Sequence, residues 1–143
     1  MVKKREQRHD VIRDIVRDYG VRTQRDLANR LQGLGHECTQ ATISRDIMDM
    51  GLVKSREGYY VLPEEMRLRR MVSELVKEAH AAGNLCVVQT HSGGATSVSA
   101  ALDRANLRGV LGTVAGDNTI FLAAETPEAA KEVELAIERL RRR

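Results

Sequence analysis

The segment from Thr39 to Gly51 constrains the fold more than any other part of the chain, because it is bounded by a helix start and a helix stop. Thr39 is a good N-cap: its hydroxyl can accept from a free backbone amide of the first turn. Gly51 follows the last apolar position and supplies the stop. Between them Ile43, Ile47 and Met50 fall at i, i+4 and i+7 and form one buried stripe. Ala41, Arg45 and Met48 then point roughly the opposite way, flanked by Thr42 and Ser44. A small residue beside an arginine near a helix N-terminus suits entry into the DNA major groove, where Ala41 permits close approach and Arg45 can donate twice to guanine. A solvated amphipathic helix has the same periodicity, so this segment alone leaves both readings open.

Its neighbours narrow the choice. Residues 5–19 form an amphipathic helix with Ile12, Ile15, Val16 and Tyr19 on one side, ended by Gly20. Thr23 caps a second helix, Asp26 suits its first turn, and Leu27, Ala28, Leu31 and Leu34 make its apolar face before Gly35. After Gly51, Leu52-Val53-Lys54 and Tyr59-Tyr60-Val61-Leu62 read as two short strands joined by a glycine-containing turn. Three helices and a β-hairpin are the order of a winged helix-turn-helix, predicted over residues 1–63. Lys54 and Arg56 place positive charge on the wing, within reach of phosphate or the minor groove. A plain surface hairpin tolerates the same charges.

Pro63-Glu64-Glu65 opens a charged stretch read as a connector over residues 64–70. Periodicity over 66–81 is ambiguous, and the strand at Leu85–Thr90 needs a partner, which favours a hairpin arm over 72–81. A helix follows from Ala95 to Arg104, then strands at 110–115 and 119–124 around the tight turn Gly116-Asp117-Asn118. Thr126, Pro127 and Glu128 begin the last helix with cap, proline and acid in the expected order, and Ala130, Val133, Ile137 and Leu140 form its stripe. Residues 71–143 are thus predicted as a β-β-α-β-β-α domain, an antiparallel sheet with helices on one face, so the fold class is α+β. The other sheet face remains for subunit contacts.

Charge is unevenly placed: residues 1–62 are net +3 and the remainder is neutral, so the first half suits a polyanion and several copies acting together. One Phe and no Trp leave only aliphatic cores, which favours oligomerisation. Cys38 and Cys86 lack metal-ligand spacing, and the chain has neither a membrane-length apolar run nor a signal peptide pattern, so a soluble, cytoplasmic protein without metal or cofactor is expected.

Catalytic chemistry finds little support. His9, His36, His80 and His91 share no ligand spacing and read as single surface histidines. Ser92-Gly93-Gly94 has neither a phosphate-loop nor a nucleophile-elbow pattern and reads as a sharp strand-to-helix turn. Thr96, Ser99 and Asp103 lie at i, i+3 and i+7 on one helix face, which most often is solvated. Asp117 and Asn118 are ordinary turn formers. An enzyme is not expected.

Two segments carry a resemblance. Thr39-Gln40-Ala41-Thr42-Ile43-Ser44-Arg45-Asp46 and Gly112-Thr113-Val114-Ala115-Gly116-Asp117-Asn118-Thr119-Ile120 stand in the order and separation of the bacterial arginine repressor family, and nearly the whole chain resembles it. The resemblance implies a repressor of arginine biosynthesis and catabolism genes that binds palindromic operators in double-stranded DNA. It implies a hexamer of two trimers built through the second domain, with L-arginine as co-repressor between trimers. Gln40, Thr42, Ser44 and Arg45 match the family's reading helix, and Asp103, Thr113, Ala115 and Asp117 match positions around the bound arginine, with Thr96 and Asn118 beside them. A guanidinium needs a planar anionic partner, which Asp117 can supply.

Three positions depart from the family pattern. Asn118 stands where a second aspartate is usual, Thr96 where a glutamine or another hydrogen-bonding side chain is common, and Ser92 replaces a proline. Loss of one desolvated carboxylate would weaken arginine binding by about 1–3 kcal/mol. The alternatives are the same DNA-binding architecture with another effector or none, an architectural or recombination accessory DNA-binding protein, and an amino-acid-binding regulatory subunit of an enzyme, which the basic first half disfavours.

Overall fold

The computed structural model describes residues 2–142, and the chain divides into two compact units that meet in sequence between Met66 and Arg67. The first contains helices α1 (Val2–Asp18), α2 (Gln24–Gly33) and α3 (Gln40–Met50) and the hairpin β1 (Val53–Lys54) and β2 (Tyr60–Val61). The capping chemistry is as expected: Thr23 Oγ1 accepts from Asp26 N, Thr39 Oγ1 accepts from Thr42 N, and Gly51 closes α3 in the left-handed conformation at φ 67°. Gly51 is there because a side chain at that φ is strained.

Ile12, Ile15, Val16, Val21, Leu27, Leu31, Ile43, Ile47, Leu52, Tyr60 and Leu62 form one core. Each large aliphatic side chain buried in this way contributes roughly 1.5–3 kcal/mol. Two residues assigned to that side by periodicity lie outside it. Tyr19 is 55% exposed, with the Arg30 guanidinium 4.5 Å from its ring centroid, and Leu34 is exposed as the C-cap of α2. Both stand at helix ends, where the chain leaves the cylinder and helical periodicity stops predicting direction.

The wing is held at its base. Val53 pairs with Val61 and Lys54 with Tyr60, and Tyr60 N donates to Val21 O at 2.8 Å. Tyr59 packs over Gly20, where a Cβ would sit 2.6 Å from Tyr59 Cε1, so a side chain there would displace the Tyr59 ring. The Arg22 guanidinium lies 4.2 Å from the Tyr59 ring centroid.

Residues 63–75 correct the sequence reading. They form a helix, α4 (Pro63–Leu75), where a connector over 64–70 and a strand from 72 were expected; the strand β3 begins only at Val76. Proline in the first turn, Glu64 and Glu65 beside it, and buried Leu68 and Val72 at i, i+4 account for the helix.

In the second unit β3 (Val76–Ala82), β4 (Leu85–Thr90), β5 (Val110–Ala115) and β6 (Thr119–Ala124) make one antiparallel sheet of order β3-β4-β6-β5. Helices α5 (Ala95–Ala105) and α6 (Pro127–Arg141) cover one face. Register decides which residues face them: Cys86 opposes Leu122 and Val88 opposes Ile120, all buried, whereas Val87 opposes Phe121 and Phe121 opposes Val114 on the open face. Val114 and Phe121 are exposed there, an apolar row facing away from the core. The β3 edge is closed by α6, where Glu138 Oε1 accepts from Ala79 N at 3.1 Å and Glu134 accepts from Ala81 N. The architecture is the expected α+β one, a helical first unit with a hairpin and a four-stranded antiparallel sheet with helices.

Candidate nucleic-acid interface and ligand site

Helix α3 presents a contiguous outer side. Gln40, Ala41 and Arg45 are exposed and Met48 is 80% exposed, while Thr42 and Ser44 are half-buried on the flanks. The Thr42 hydroxyl is already engaged, 2.9 Å from Thr39 Oγ1, so it strengthens the cap. Arg45 extends from the middle of the helix beside the small Ala41, which leaves room for a base edge to approach. On the wing, Lys54 and Arg56 are exposed, and Lys54 Nζ lies 5.1 Å from the Tyr60 ring centroid, which restricts its reach.

The inner side of α3 holds a feature that sequence reasoning missed. Asp46 is buried between Ile43 and Ile47 and accepts from Arg8 Nε at 2.5 Å, Arg8 Nη2 at 2.9 Å and His9 Nε2 at 2.9 Å. His9 is therefore no isolated surface histidine; a carboxylate only accepts, so Nε2 is the donor. Burial opposes ionisation of Asp46, but the hydrogen bonds from Arg8 and His9 outweigh it and hold its carboxyl below the usual aspartate range. One signal was present: Asp46 stands at i+3 in the stripe begun by Ile43, a core position occupied by an acid. An acid there requires a cationic partner, although its identity is invisible 38 residues away.

In the second unit the expected ligand residues fall into two groups. Asp103, near the C-terminus of α5, accepts from Thr113 Oγ1 at 2.8 Å, and Thr113 Oγ1 lies 2.6 Å from Ser99 Oγ. Asp117 and Asn118 form the turn between β5 and β6, held to the start of α5 by Ala95 N donating to Asp117 O at 3.2 Å and to the end of β4 by Thr90 N donating to Asn118 O at 2.8 Å. Ser92 Oγ donates to Asp117 Oδ2 at 3.1 Å, and Thr119 Oγ1 donates to Asn118 Oδ1 at 3.0 Å. Thr96 is exposed on the first turn of α5, close in sequence to this second group, and Ala115 is half-buried on β5 between Thr113 and Asp117. A rise of 1.5 Å per residue along α5 sets Thr96 and Asp103 about 10 Å apart. Asp103 and Asp117 are both exposed, so the unit displays two separated carboxylates along one helix. Ser99, read as part of a solvated polar stripe, is instead only 7% exposed and supports Thr113 from within.

No group of three or more histidine, cysteine or carboxylate side chains among the described residues could hold a metal ion. Both cysteines are free, and burial pushes the Cys86 thiol up to about 11 and the Cys38 thiol upward as well, which leaves neither activated as a nucleophile. No described helix is long and apolar enough to cross a membrane.

Comparison with known proteins matches both units. Residues 3–68 fit the family model described as arginine repressor, DNA binding domain, and residues 72–139 fit that of the arginine repressor, C-terminal domain. An arginine repressor of Thermus thermophilus is 41% identical over 139 residues, covering 90% of this chain and 85% of its own length. One from Heliobacterium modesticaldum is 40% identical over 153 residues, covering 99% of this chain and 98% of its own, and one from Koribacter versatilis is 38% identical over 141 residues, covering 93% and 95%. Matched in both domains, in order and over most of its length, the chain belongs to the arginine repressor family.

Proposed function

We propose that the protein is a transcriptional repressor of arginine biosynthesis and catabolism genes, whose affinity for palindromic operators in double-stranded DNA rises with L-arginine. One observation carries the reading: a single chain joins an outward-facing α3, with Arg45 exposed beside Ala41, to a unit displaying Asp103 and Asp117 along α5. Arg45 reads base edges, and Gln40, Thr42 and Ser44 support it from the same helix. Lys54 and Arg56 fix the wing on phosphates, where charge adds affinity without sequence information.

Asp117 pairs with the effector's guanidinium, whose planar fork matches a carboxylate, and Asp103, Thr113, Ala115, Thr96 and Asn118 complete the surroundings. Two exposed carboxylates on one chain form only part of an enclosure, which supports completion of the site by a second copy. The apolar row Val87, Phe121 and Val114 on the open sheet face supports self-association into trimers, and two trimers joined across bound arginine make the hexamer. Arginine then favours the geometry that it binds best, by its differential affinity alone. The protein acts in the cytoplasm as a regulator and not as an enzyme.

A second reading keeps the DNA-binding unit and changes the effector. It is favoured by Asn118, which brings an amide to the β5–β6 turn and accepts there from Thr119. Fluorescence anisotropy with a duplex selected by the protein from a random pool, repeated with L-arginine, citrulline, ornithine and lysine, tests both. Tightening by arginine alone supports the first reading, tightening by another of the four supports the second, and equal affinity throughout leaves an architectural DNA protein.

A further inference from the structure

Helix α1 grips α3 from behind through charged groups. Arg8 places Nε and Nη2 on the two different oxygens of Asp46, at 2.5 and 2.9 Å, and His9 Nε2 meets Oδ1 at 2.9 Å. Nearly one turn further along α3, Arg5 Nη2 meets Asp49 Oδ2 at 2.6 Å. The pairs 8 with 46 and 5 with 49 run in opposite directions, so two points along α3 are tied to two points along α1. The Asp46 side chain is 2% exposed, and its neighbours in the stripe are Ile43 and Ile47.

Stability alone does not account for an acid at that position. A leucine would fill a similar volume without desolvating a charge, and such apolar replacements of buried ion pairs are often neutral or stabilising. The fork supplies direction instead. An apolar stripe tolerates a range of rolls of a helix about its axis, whereas two parallel hydrogen bonds to a planar guanidinium tolerate a narrow one. Arg45 is the next residue along α3 and turns with it. With side chains reaching about 5–6 Å from the helix axis, a roll of about 10° shifts a side-chain group by about 1 Å, enough to spoil a two-point contact with a base edge.

We infer that Asp46 is a positioning residue for DNA reading: its fork with Arg8, steadied by His9, sets the roll of α3 and thereby the place of Arg45. The inference rests on the reading of α3 as the helix that contacts bases. It also removes Arg8 from the set of phosphate contacts, since its guanidinium is committed to the buried Asp46 carboxylate.

The test uses the full-length protein, a duplex that the wild type selects from a random-sequence pool, and a scrambled duplex of the same length and composition. The double variant Arg8→Met/Asp46→Leu removes both charges at once, so net charge and the long-range attraction to DNA stay the same. It should melt at or above the wild-type temperature and bind the scrambled duplex as the wild type does. Its preference for the selected duplex should fall by about tenfold or more, the worth of a good bidentate base contact. Arg8→Lys keeps the charge but not the fork and should lose about threefold in preference, which carries the test if the double variant does not fold. Wild-type preference in the folded variants overturns the inference. Equal loss on both duplexes also overturns it, by making Arg8 a phosphate contact. Arg45→Ala in the same assay separates the two claims: if it loses preference while the Arg8 and Asp46 variants do not, the positioning role fails and the reading helix stands. If Arg45→Ala keeps its preference, the reading of α3 fails and the positioning role falls with it.

Discussion

The relay Ser99–Thr113–Asp103 allows a stability prediction whose size follows from counting protons. Thr113 has one hydroxyl proton, and it goes to Asp103 Oδ1 at 2.8 Å, because a carboxylate has none to give. Ser99 must therefore donate to Thr113 Oγ1 across 2.6 Å, from a side chain almost fully removed from water. Thr113→Val keeps the shape but puts a methyl group where Ser99 needs an acceptor, stranding a buried hydroxyl at about 1–3 kcal/mol. Ser99→Ala removes the donor and leaves Thr113 bonded to Asp103, at about 0.5–1.5 kcal/mol.

Adding Ser99→Ala to Thr113→Val then removes the stranded group, so the double variant should be no worse than Thr113→Val alone. The cycle is expected to close with a coupling of roughly 1 kcal/mol, where distant sites would add. For a unit of this size 1 kcal/mol corresponds to about 4–8 °C in melting midpoint, well within the resolution of circular dichroism. Strict additivity, or a Thr113→Val cost no larger than that of Ser99→Ala, would refute the proton assignment. In the same variants arginine titration by calorimetry should weaken with Thr113→Val, because Asp103 loses the donor that orients it.

Arg45→Ala should cost about 1–3 kcal/mol in affinity for the selected duplex while leaving the oligomer intact by sedimentation. Arg56→Ala should weaken binding to all sequences alike and lower the slope of log affinity against log salt by about one, measured by anisotropy between low and moderate salt. Asp117→Ala should abolish the arginine response with the fold retained; wild-type arginine affinity by calorimetry in that variant would remove Asp117 from the site. Asp46 links stability to pH: its carboxyl is held below its unfolded value, so it contributes fully above the ordinary aspartate range, and the contribution is lost as pH falls through the depressed value. The melting midpoint of the wild type should therefore fall further below that of Arg8→Met/Asp46→Leu on acidification, and curves that stay parallel through the acid range would remove the linkage.

Much of the fold was legible because its signals are local. Caps at Thr23, Thr39 and Thr126, the stop at Gly51 and the β-branched composition of Leu85–Thr90 act within one turn or one strand, and the structure places those elements as read. The helix at Pro63–Leu75 was harder to read, since its charged surface residues obscured the apolar pair Leu68 and Val72, whose helical role depends on the core that they enter. The groups around Asp103 and Asp117 were suggested by resemblance more than by spacing, because Thr113 and Ser92 reach those carboxylates across 10 and 25 residues.

The sequence by itself determined where the helices with threonine caps begin, that α3 stops at Gly51, and that Arg45 leaves α3 on the side away from Ile43 and Ile47, because backbone geometry sets these over a few residues. Only the tertiary structure decided that Asp46 is buried on Arg8 and His9, that Ser99 stands inside rather than in water, and that Phe121 and Val114 line an open sheet face. Those outcomes depend on which distant side chains meet. A buried charge or hydroxyl takes its partner from whatever packing brings within 3 Å, and periodicity along one element carries no record of that.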